Sequence, residues 1–318
     1  MGAAGGTVHC APVRFGGMFD RITLRSDLSD CHGQLLARRG AVVSTEGIRE
    51  AALSARPGPT RLLAETFLAD DVALPLGDHG YRYLFRSPQA QAAVARVLLA
   101  VELPDVLYDE LAAVKATDPA RHQHALATAA VASRMLAVAA GESRVPPQVA
   151  AAALLHDLGM RHLPARLVRG GEPLRGGEAL EMAEHPFLGA WHLARVLGPH
   201  PAVDAALSHH WRNGQGYPDL PRRPTRTVEV VAVASAFAAL TQSRAYRSDP
   251  FDPRGAVDLL VAEAGAERID AYGVKLLVHA LRGGQGEVRV LRFGRSRHGT
   301  EPAVNHYTPI AAPARGFL

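Results

Sequence analysis

The sequence has little of several residue types, and each shortage argues against a class of protein. Two cysteines in 318 residues, Cys10 and Cys31, are too few for a disulfide framework or a metal knuckle. This favours a reducing compartment, so we expect a cytoplasmic protein. No run approaches the roughly 18 uninterrupted apolar residues of a membrane span. The N-terminus also lacks the charged-then-apolar order of a secretory leader, so neither a leader nor a membrane association is expected.

Lysine is nearly absent from the chain. Lys115 and Lys275 are the two lysines among 35 basic residues, and the formal net charge is +4. The high pI of about 9.3 therefore reflects arginine. These arginines do not form the basic blocks that nucleic-acid-binding proteins use, since pairs such as Arg222-Arg223 are short. A nucleic-acid polymer is not an expected partner.

Apolar residues, by contrast, make up 47% of the chain, which is enough to bury a substantial core. Their periodicity predicts a mainly α protein, with a helical domain preceded by a small α/β accessory module. In the module, strand-like segments and one short capped helix follow one another. We predict four regions: a small N-terminal α/β module at 1–60, a helical connector at 61–104, a helical domain of about eight helices at 105–282, and a C-terminal strand (Glu287 to Phe293) with a flexible tail at 283–318.

The most informative stretch is the apolar run Ala150 to Leu155, which is followed directly by His156-Asp157-Leu158-Gly159. Six small or branched apolar residues in a row indicate a helix that is buried on nearly all sides. Buried imidazole and carboxylate groups are normally paired or bound to a metal. An isolated His-Asp pair is equally compatible with a satisfied core histidine and a capping aspartate.

Further histidines on separate predicted helices favour a metal site over that alternative. His124 is expected on the apolar face of a helix, and His122 on a different face. Imidazole and carboxylate together suit Fe, Mn, Zn or Ni, and an aspartate among ligand histidines can bridge two ions. Two such ions activate a water and clamp the oxygens of a phosphoryl centre. The candidate ligands are His124, His156, Asp157, His185, His209 and His210.

The order of these motifs resembles the HD-GYP domain, the branch of the HD superfamily that hydrolyses the bacterial second messenger cyclic di-GMP. The resemblance runs from about His124 to Arg247. It rests on His156-Asp157-Leu158-Gly159, Glu184-His185-Pro186 with Gly189, His209-His210, Gly214-Gln215-Gly216-Tyr217-Pro218 and Arg244-Ala245-Tyr246-Arg247.

The resemblance implies a role for each matching residue. His124 and His156 would hold a first metal, Asp157 would bridge and serve catalysis, and His185, His209 and His210 would hold a second metal. The Gly216-Tyr217-Pro218 loop would line the substrate site, with Tyr217 against a guanine. Arg244 and Arg247 would lie near the phosphates, where planar guanidinium groups suit the geometry.

Two departures from the family pattern bear on activity. The lysine that follows the His-Asp motif in the family is Met160 here, and a late metal-binding aspartate is Ser235. A neutral serine does not supply the negative charge that two ions need, and Met160 does not stabilise phosphate charge. We therefore predict one or two divalent ions, with about one bound tightly, and slow turnover of cyclic di-GMP.

Three functions are compatible with this sequence. The first is a cyclic di-GMP phosphodiesterase that the two substitutions impair. The second is a catalytically inactive relative that serves signalling as a nucleotide receptor or a protein-interaction module, with a signalling protein or a second copy of the chain as its partner. The third is an HD phosphohydrolase of another nucleotide, which the Gly216-Tyr217-Pro218 loop disfavours.

Overall fold

A computed structural model describes residues 20–141, 144–169, 174, 176–213, 216–218, 220, 222–243, 249–294 and 298–302. The predicted disordered start and the predicted flexible tail beyond residue 302 lie outside these ranges. Within them, no helix combines the length and the apolar character that crossing a bilayer requires.

The N-terminal region contains short antiparallel strand pairs followed by one helix. The elements are β1 (Arg21–Thr23), β2 (Leu28–Ser29), β3 (Leu35–Ala37), β4 (Val42–Ser44) and α1 (Thr45–Ser54). β1 pairs with β4, and β2 pairs with β3. The Ser44 side chain accepts a hydrogen bond from the Gly47 backbone N–H, which caps α1 at its first turn.

The connector is less helical than its sequence predicts. Its elements are β5 (Thr60–Leu62), α2 (Ala73–Gly77), α3 (Pro88–Leu99) and β6 (Glu102–Pro104). The sequence predicts a helical connector up to residue 104, but α3 ends at Leu99 and residues 102–104 pair antiparallel with β5. Leu103 precedes Pro104, and a residue before a proline avoids the helical region of backbone conformation. Pairing with β5 then satisfies the backbone N–H and C=O groups that a longer helix would have paired.

The remaining helices form the large domain. They are α4 (Asp105–Thr117), α5 (Pro119–Ala140), α6 (Pro147–Leu155), α7 (Ala165–Arg169), α8 (Gly177–Met182), α9 (His185–Leu197), α10 (Pro201–Ser208), α11 (Arg226–Thr241), α12 (Pro253–Gly265) and α13 (Ala271–Leu281). The mainly α fold with a small α/β module is therefore confirmed.

Helices α5 and α11 form the centre of this domain. α5 packs against α3, α4, α6, α11 and α13. Both helices are buried around most of their circumference, because alanine and valine on every face let neighbouring helices approach closely. α5 starts at Pro119, and the Asp118 side chain caps it by accepting a hydrogen bond from the Arg121 N–H.

The predicted C-terminal strand is wrong. Residues 288–290 form a 3-10 turn. Three glycines just before it adopt positive φ angles, Gly283 at 82°, Gly284 at 77° and Gly286 at 81°, and turn the chain back across α13. In the described part of the chain, the strands form three two-stranded sheets, and none of these sheets includes residues 288–290. A strand without a partner leaves its backbone groups unpaired.

The N-terminal region packs directly on α9. The Trp191 indole N–H donates to the Leu36 carbonyl oxygen over 3.3 Å, and Arg25 pairs with Glu184 over 2.9 Å. Glu184 immediately precedes His185. The accessory module, for which the sequence suggests no chemistry, is thus in contact with a helix that carries a candidate ligand.

Candidate metal centre

The buried helix α6 places the His-Asp pair at the centre of the domain. α6 ends at Leu155, and every residue from Val149 to Leu155 is buried. His156 follows as the last helical position, and the chain turns at Asp157 into a short 3-10 helix at Leu158–His162. This change of helix type lets two adjacent side chains point toward one cavity instead of diverging by the usual 100° of an α-helix.

Six side chains from four helix ends or faces meet there in two groups that share one carboxylate. The possible ligand atoms within each group lie within 4.8 Å of one another. The larger group contains Asp157, His185, His209 and His210, and the smaller contains His124, His156 and Asp157. The structure therefore brings together every histidine and aspartate that the sequence suggests as a ligand.

The two oxygens of Asp157 face different groups. Oδ1 lies 3.5 Å from His185 Nε2 and 3.2 Å from His209 Nε2. Oδ2 lies 3.6 Å from His156 Nε2 and 3.8 Å from His124 Nε2. One carboxylate that points an oxygen into each of two histidine groups has the arrangement of a bridging ligand.

Backbone carbonyls fix the orientation of three imidazole rings. Nδ1 of His156 lies 2.7 Å from the Ala153 oxygen, Nδ1 of His185 lies 2.8 Å from the Met182 oxygen, and Nδ1 of His209 lies 2.9 Å from the Ala205 oxygen. A carbonyl accepts only, so each Nδ1 carries the proton and donates.

The Nε2 lone pairs of these rings then point at the oxygens of Asp157. Two acceptors that face each other at 3.2–3.6 Å repel unless a cation or a proton lies between them. Protein histidine ligands of metals hold their second ring nitrogen in this way. The donor set and its geometry therefore fit a divalent metal ion.

The protonation states also favour metal binding. Burial lowers the pKa of His185 to about 3 and that of His210 well below its usual value, so both rings are neutral at pH 7. Burial raises the pKa of the Asp157 carboxyl, but the neighbouring imidazoles, His156 first and then His209, lower it more strongly, so that it lies well below its usual value. Asp157 is thus an anion, and the His185 and His210 rings beside it are neutral.

Ser235 occupies the middle of the smaller group. Its Oγ lies 3.1 Å from His156 Nε2 and 3.3 Å from His124 Nε2, and the residue is buried on α11. One hydroxyl can donate to only one of these nitrogens. Ser235 therefore partly satisfies the hydrogen-bonding capacity of the His124 and His156 rings in the absence of an ion. It adds no negative charge that would hold an ion.

At two glycines around the site, the backbone of another segment approaches so closely that a side chain would not fit. The sequence shows the glycines but not these close approaches. A Cβ on Gly159 would lie 2.0 Å from the His185 carbonyl oxygen and 2.5 Å from the Gly189 nitrogen. A Cβ on Gly216 would lie 2.0 Å from the His210 carbonyl oxygen. Both glycines allow backbone to pack against a histidine-bearing segment, so they set the distance between the candidate ligands.

The predicted substrate loop lies beside the larger group. The Tyr217 ring stacks on His210 with centroids 4.5 Å apart and an interplanar angle of 19°. Gly216, Tyr217 and Pro218 are all buried. Arg244 and Arg247, the predicted phosphate contacts, lie outside the described residues.

Other residues that the sequence raises lie elsewhere. His122 Nε2–H donates a hydrogen bond to Asp71 Oδ2 over 2.9 Å and does not face the cluster, as its place on a different face of α5 from His124 predicts. Glu229 pairs with Arg223 and Arg226 at the start of α11, so it does not replace the missing aspartate. Met160 is half-buried and packs against the core.

Comparison with known proteins identifies the domain. The family described as "HD domain" matches residues 105–273, slightly more than half of the chain. The chain belongs to the HD domain family. The match spans the helices from α4 to the start of α13 and includes every side chain of both histidine groups. The resemblance seen in the sequence is confirmed at this level.

One curated relative and two solved structures are similar to this HD domain protein. A protein described as 3'3'-cGAMP-specific phosphodiesterase 1, from Vibrio cholerae serotype O1, is 29% identical over 134 residues, which are 39% of this chain and 30% of that protein. The chain thus corresponds to less than a third of that relative's length.

Both solved structures are distant. The HD domain of the Listeria monocytogenes phosphodiesterase PgpH, in complex with cyclic-di-AMP, is 16% identical with a TM-score of 0.43 and covers 58% of this chain and 99% of its own. Bd1817, an HDG"Y"P protein from Bdellovibrio bacteriovorus, is 16% identical with a TM-score of 0.44 and covers 87% of this chain and 99% of its own.

Proposed function

We propose that this protein is a metal-dependent hydrolase of cyclic dinucleotides, in which residues 105–282 form the catalytic domain. The observation that carries the proposal is the position of Asp157, with one oxygen toward each histidine group. The larger group offers three imidazoles and one carboxylate oxygen, and would hold an ion of Fe, Mn, Zn or Ni firmly. When bound, such an ion lowers the pKa of water and polarises a phosphoryl oxygen.

The chain's own residues have separate tasks in this proposal. Asp157 supplies the negative charge of the centre and links its two halves. The backbone carbonyls behind His156, His185 and His209 keep those rings in the tautomer that offers Nε2. Tyr217, held against His210, presents a buried aromatic surface on which a nucleobase can stack.

Cyclic di-GMP is the proposed substrate. The sequence support is the Gly216-Tyr217-Pro218 loop, which in this family accompanies cyclic di-GMP hydrolysis, together with Arg244 and Arg247. The curated relative is described as specific for 3'3'-cGAMP, which shares one guanine and the two phosphodiester bonds with cyclic di-GMP. A side-by-side assay of cyclic di-GMP, 3'3'-cGAMP and cyclic di-AMP distinguishes these substrates.

The smaller group is the weak half of the centre. It offers two imidazoles and one shared carboxylate oxygen, and its remaining position is the neutral hydroxyl of Ser235. We therefore propose one firmly bound ion per chain and slow hydrolysis.

The experiment that tests the proposal measures metal content and turnover on one purified sample. One ion per chain with detectable hydrolysis of a cyclic dinucleotide supports it. A protein that binds no divalent ion and hydrolyses none of the three substrates contradicts it.

A second function has a specific observation in its favour. The hydrogen bonds of Ser235 to His124 and His156 give half of the centre a metal-free partner, which suits a receptor that binds the nucleotide without cleaving it. Stoichiometric binding of cyclic di-GMP with no turnover, in a sample that carries its ion, would favour this receptor role in signalling.

A further inference from the structure

A second cavity lies on another face of the helical domain, away from every histidine of the two groups. Its volume is about 490 Å³, and its walls come from α12, α13, the segment after Val290 and the turn before α3. None of its lining residues belongs to the candidate metal centre. This volume is within the range of roughly 300–1,000 Å³ that is typical of small-molecule sites.

The charge of this cavity is strongly positive. Four arginines line it, namely Arg86, Arg254, Arg282 and Arg292, against a single carboxylate, Asp258. In the described part of the chain, no carboxylate pairs with Arg86, Arg282 or Arg292, and the side chains of all three are exposed. Three guanidinium groups around one cavity repel one another unless an anion lies among them.

The one acidic group is already committed to the protein. Asp258 accepts hydrogen bonds from the backbone N–H groups of His298 over 2.8 Å and Gly299 over 2.9 Å. It also lies 3.3 Å from Arg254 Nε. Asp258 therefore holds the wall of the cavity together and neutralises Arg254, but pairs with none of the other three arginines. Of these, Arg86 donates one N–H to the Leu281 carbonyl oxygen over 3.2 Å and keeps its positive charge unpaired.

The rest of the lining is apolar and aromatic. Val257, Val261, Val278 and Leu281 form a floor between α12 and α13, and Tyr83 and Phe293 stand at the sides. The Arg86 guanidinium lies over the Tyr83 ring, 5.0 Å from its centroid. An arginine held flat on an aromatic ring extends a stacking surface and keeps its outer N–H groups for hydrogen bonds.

We propose that this cavity binds a phosphorylated small molecule with a planar ring, of the nucleoside monophosphate class. The ring would lie on the apolar floor between Tyr83 and Phe293, and the phosphate would lie among Arg86, Arg282 and Arg292. Fork-shaped guanidinium groups bind phosphate oxygens in pairs, which explains why the cluster consists of arginines. The proposal is independent of the catalytic proposal, because the two sites share no residue.

The test is a calorimetric titration of the full chain with GMP, inorganic phosphate and guanosine as separate probes. The titrations are made in EDTA, so that the histidine groups carry no ion. We expect GMP to bind in the micromolar to low millimolar range and more tightly than either fragment, because it engages both the floor and the arginines. Equal binding of GMP and inorganic phosphate would contradict the ring subsite.

Variants locate the site. Arg282→Ala and Arg292→Ala should each weaken GMP binding about tenfold or more, since each removes charge-assisted hydrogen bonds from an exposed position where folding is unaffected. Arg289→Ala removes a nearby exposed arginine that does not line the cavity and should leave GMP affinity unchanged. Tyr217→Ala, which alters the other site, should leave it unchanged as well.

Other results would overturn the proposal. They are no GMP binding up to several millimolar, an equal loss of affinity in Arg289→Ala, or a loss confined to Tyr217→Ala, which would assign the binding to the metal centre.

Discussion

The replacement of Ser235 by aspartate tests directly whether this position limits metal binding. Ligand atoms that lie about 2.1 Å from one ion are roughly 3.0–3.4 Å apart. The Ser235 Oγ is 3.1 Å from His156 Nε2 and 3.3 Å from His124 Nε2. The serine oxygen thus already has the spacing of a ligand, and a carboxylate there points at the place of an ion without a change in the helix.

The expected magnitude has two parts. Without metal, Ser235→Asp adds a second buried anion near Asp157, and we expect the free energy of unfolding to fall by about 3 kcal/mol. With metal, the new carboxylate pairs with the ion, and affinity for the second ion should rise at least tenfold. Under saturating metal, each tenfold in affinity contributes about 1.4 kcal/mol to stability, so a tenfold gain restores about half of the lost stability and a hundredfold gain restores nearly all of it.

The assay combines elemental analysis after desalting, thermal unfolding with and without Mn²⁺, and hydrolysis of cyclic di-GMP. Ser235→Asn is the matched control, since asparagine has nearly the same volume as aspartate and carries no charge. The double variant Ser235→Asp with Met160→Lys adds a cation for the phosphate and should hydrolyse fastest. If the unmodified protein already holds two ions firmly and hydrolyses briskly, and the variants do no better, the reasoning about Ser235 is refuted.

Three further predictions follow from single contacts. Gly159→Ala should cost about 3 kcal/mol of stability and reduce metal content, because its Cβ would lie 2.0 Å from a backbone oxygen of α9. The control Gly177→Ala has open space around its Cβ and should change neither quantity in the same melting and metal assays. His209→Ala should lower metal content and His122→Ala should not, because His209 belongs to the larger histidine group and His122 pairs with Asp71 instead; equal effects in elemental analysis would contradict the assignment. Burial lowers the pKa of His192 from 6.5 to about 4, so the unfolded chain takes up this proton at a higher pH than the folded chain. The free energy of unfolding should therefore fall by up to roughly 3 kcal/mol as the pH drops from 6.5 to 4. His192→Gln should flatten that part of the pH–stability curve in urea unfolding, and an unchanged slope would show that another group titrates.

The contact between the accessory module and α9 gives His192 its environment. His192 Nδ1 lies 3.2 Å from His162 Nε2, and Glu110 Oε1 lies 3.7 Å from His192 Nε2. Glu110 also accepts a hydrogen bond from the Cys31 backbone N–H over 2.6 Å and pairs with Arg161 over 2.5 Å. A buried polar cluster therefore connects the N-terminal region with the segment that follows Asp157.

Much of the site was predictable because its chemistry is encoded in residue type and order. Histidines at the ends of apolar helices are costly to bury unless they are paired or bound to a metal. The sequence therefore predicts a set of candidate ligands, namely His124, His156, Asp157, His185, His209 and His210. Helical periodicity also separated His124 from His122 correctly, because a 200° rotation is a local property of the chain.

What the sequence alone did not determine depends on distances between segments far apart in the chain. Asp157 lies between two histidine groups only because Gly159 and Gly189 let the turn after α6 approach α9, and no local pattern measures such an approach. The strand pairing of residues 102–104 and the 3-10 turn at 288–290 were likewise decided by whether a partner strand was within reach. The resemblance to the family pattern indicated that Ser235 stands where a carboxylate is usual, but its hydrogen bonds to two imidazoles from other helices exist only in the folded chain. Composition and periodicity determine which face of a segment is buried, whereas tertiary packing determines which other segments that face contacts.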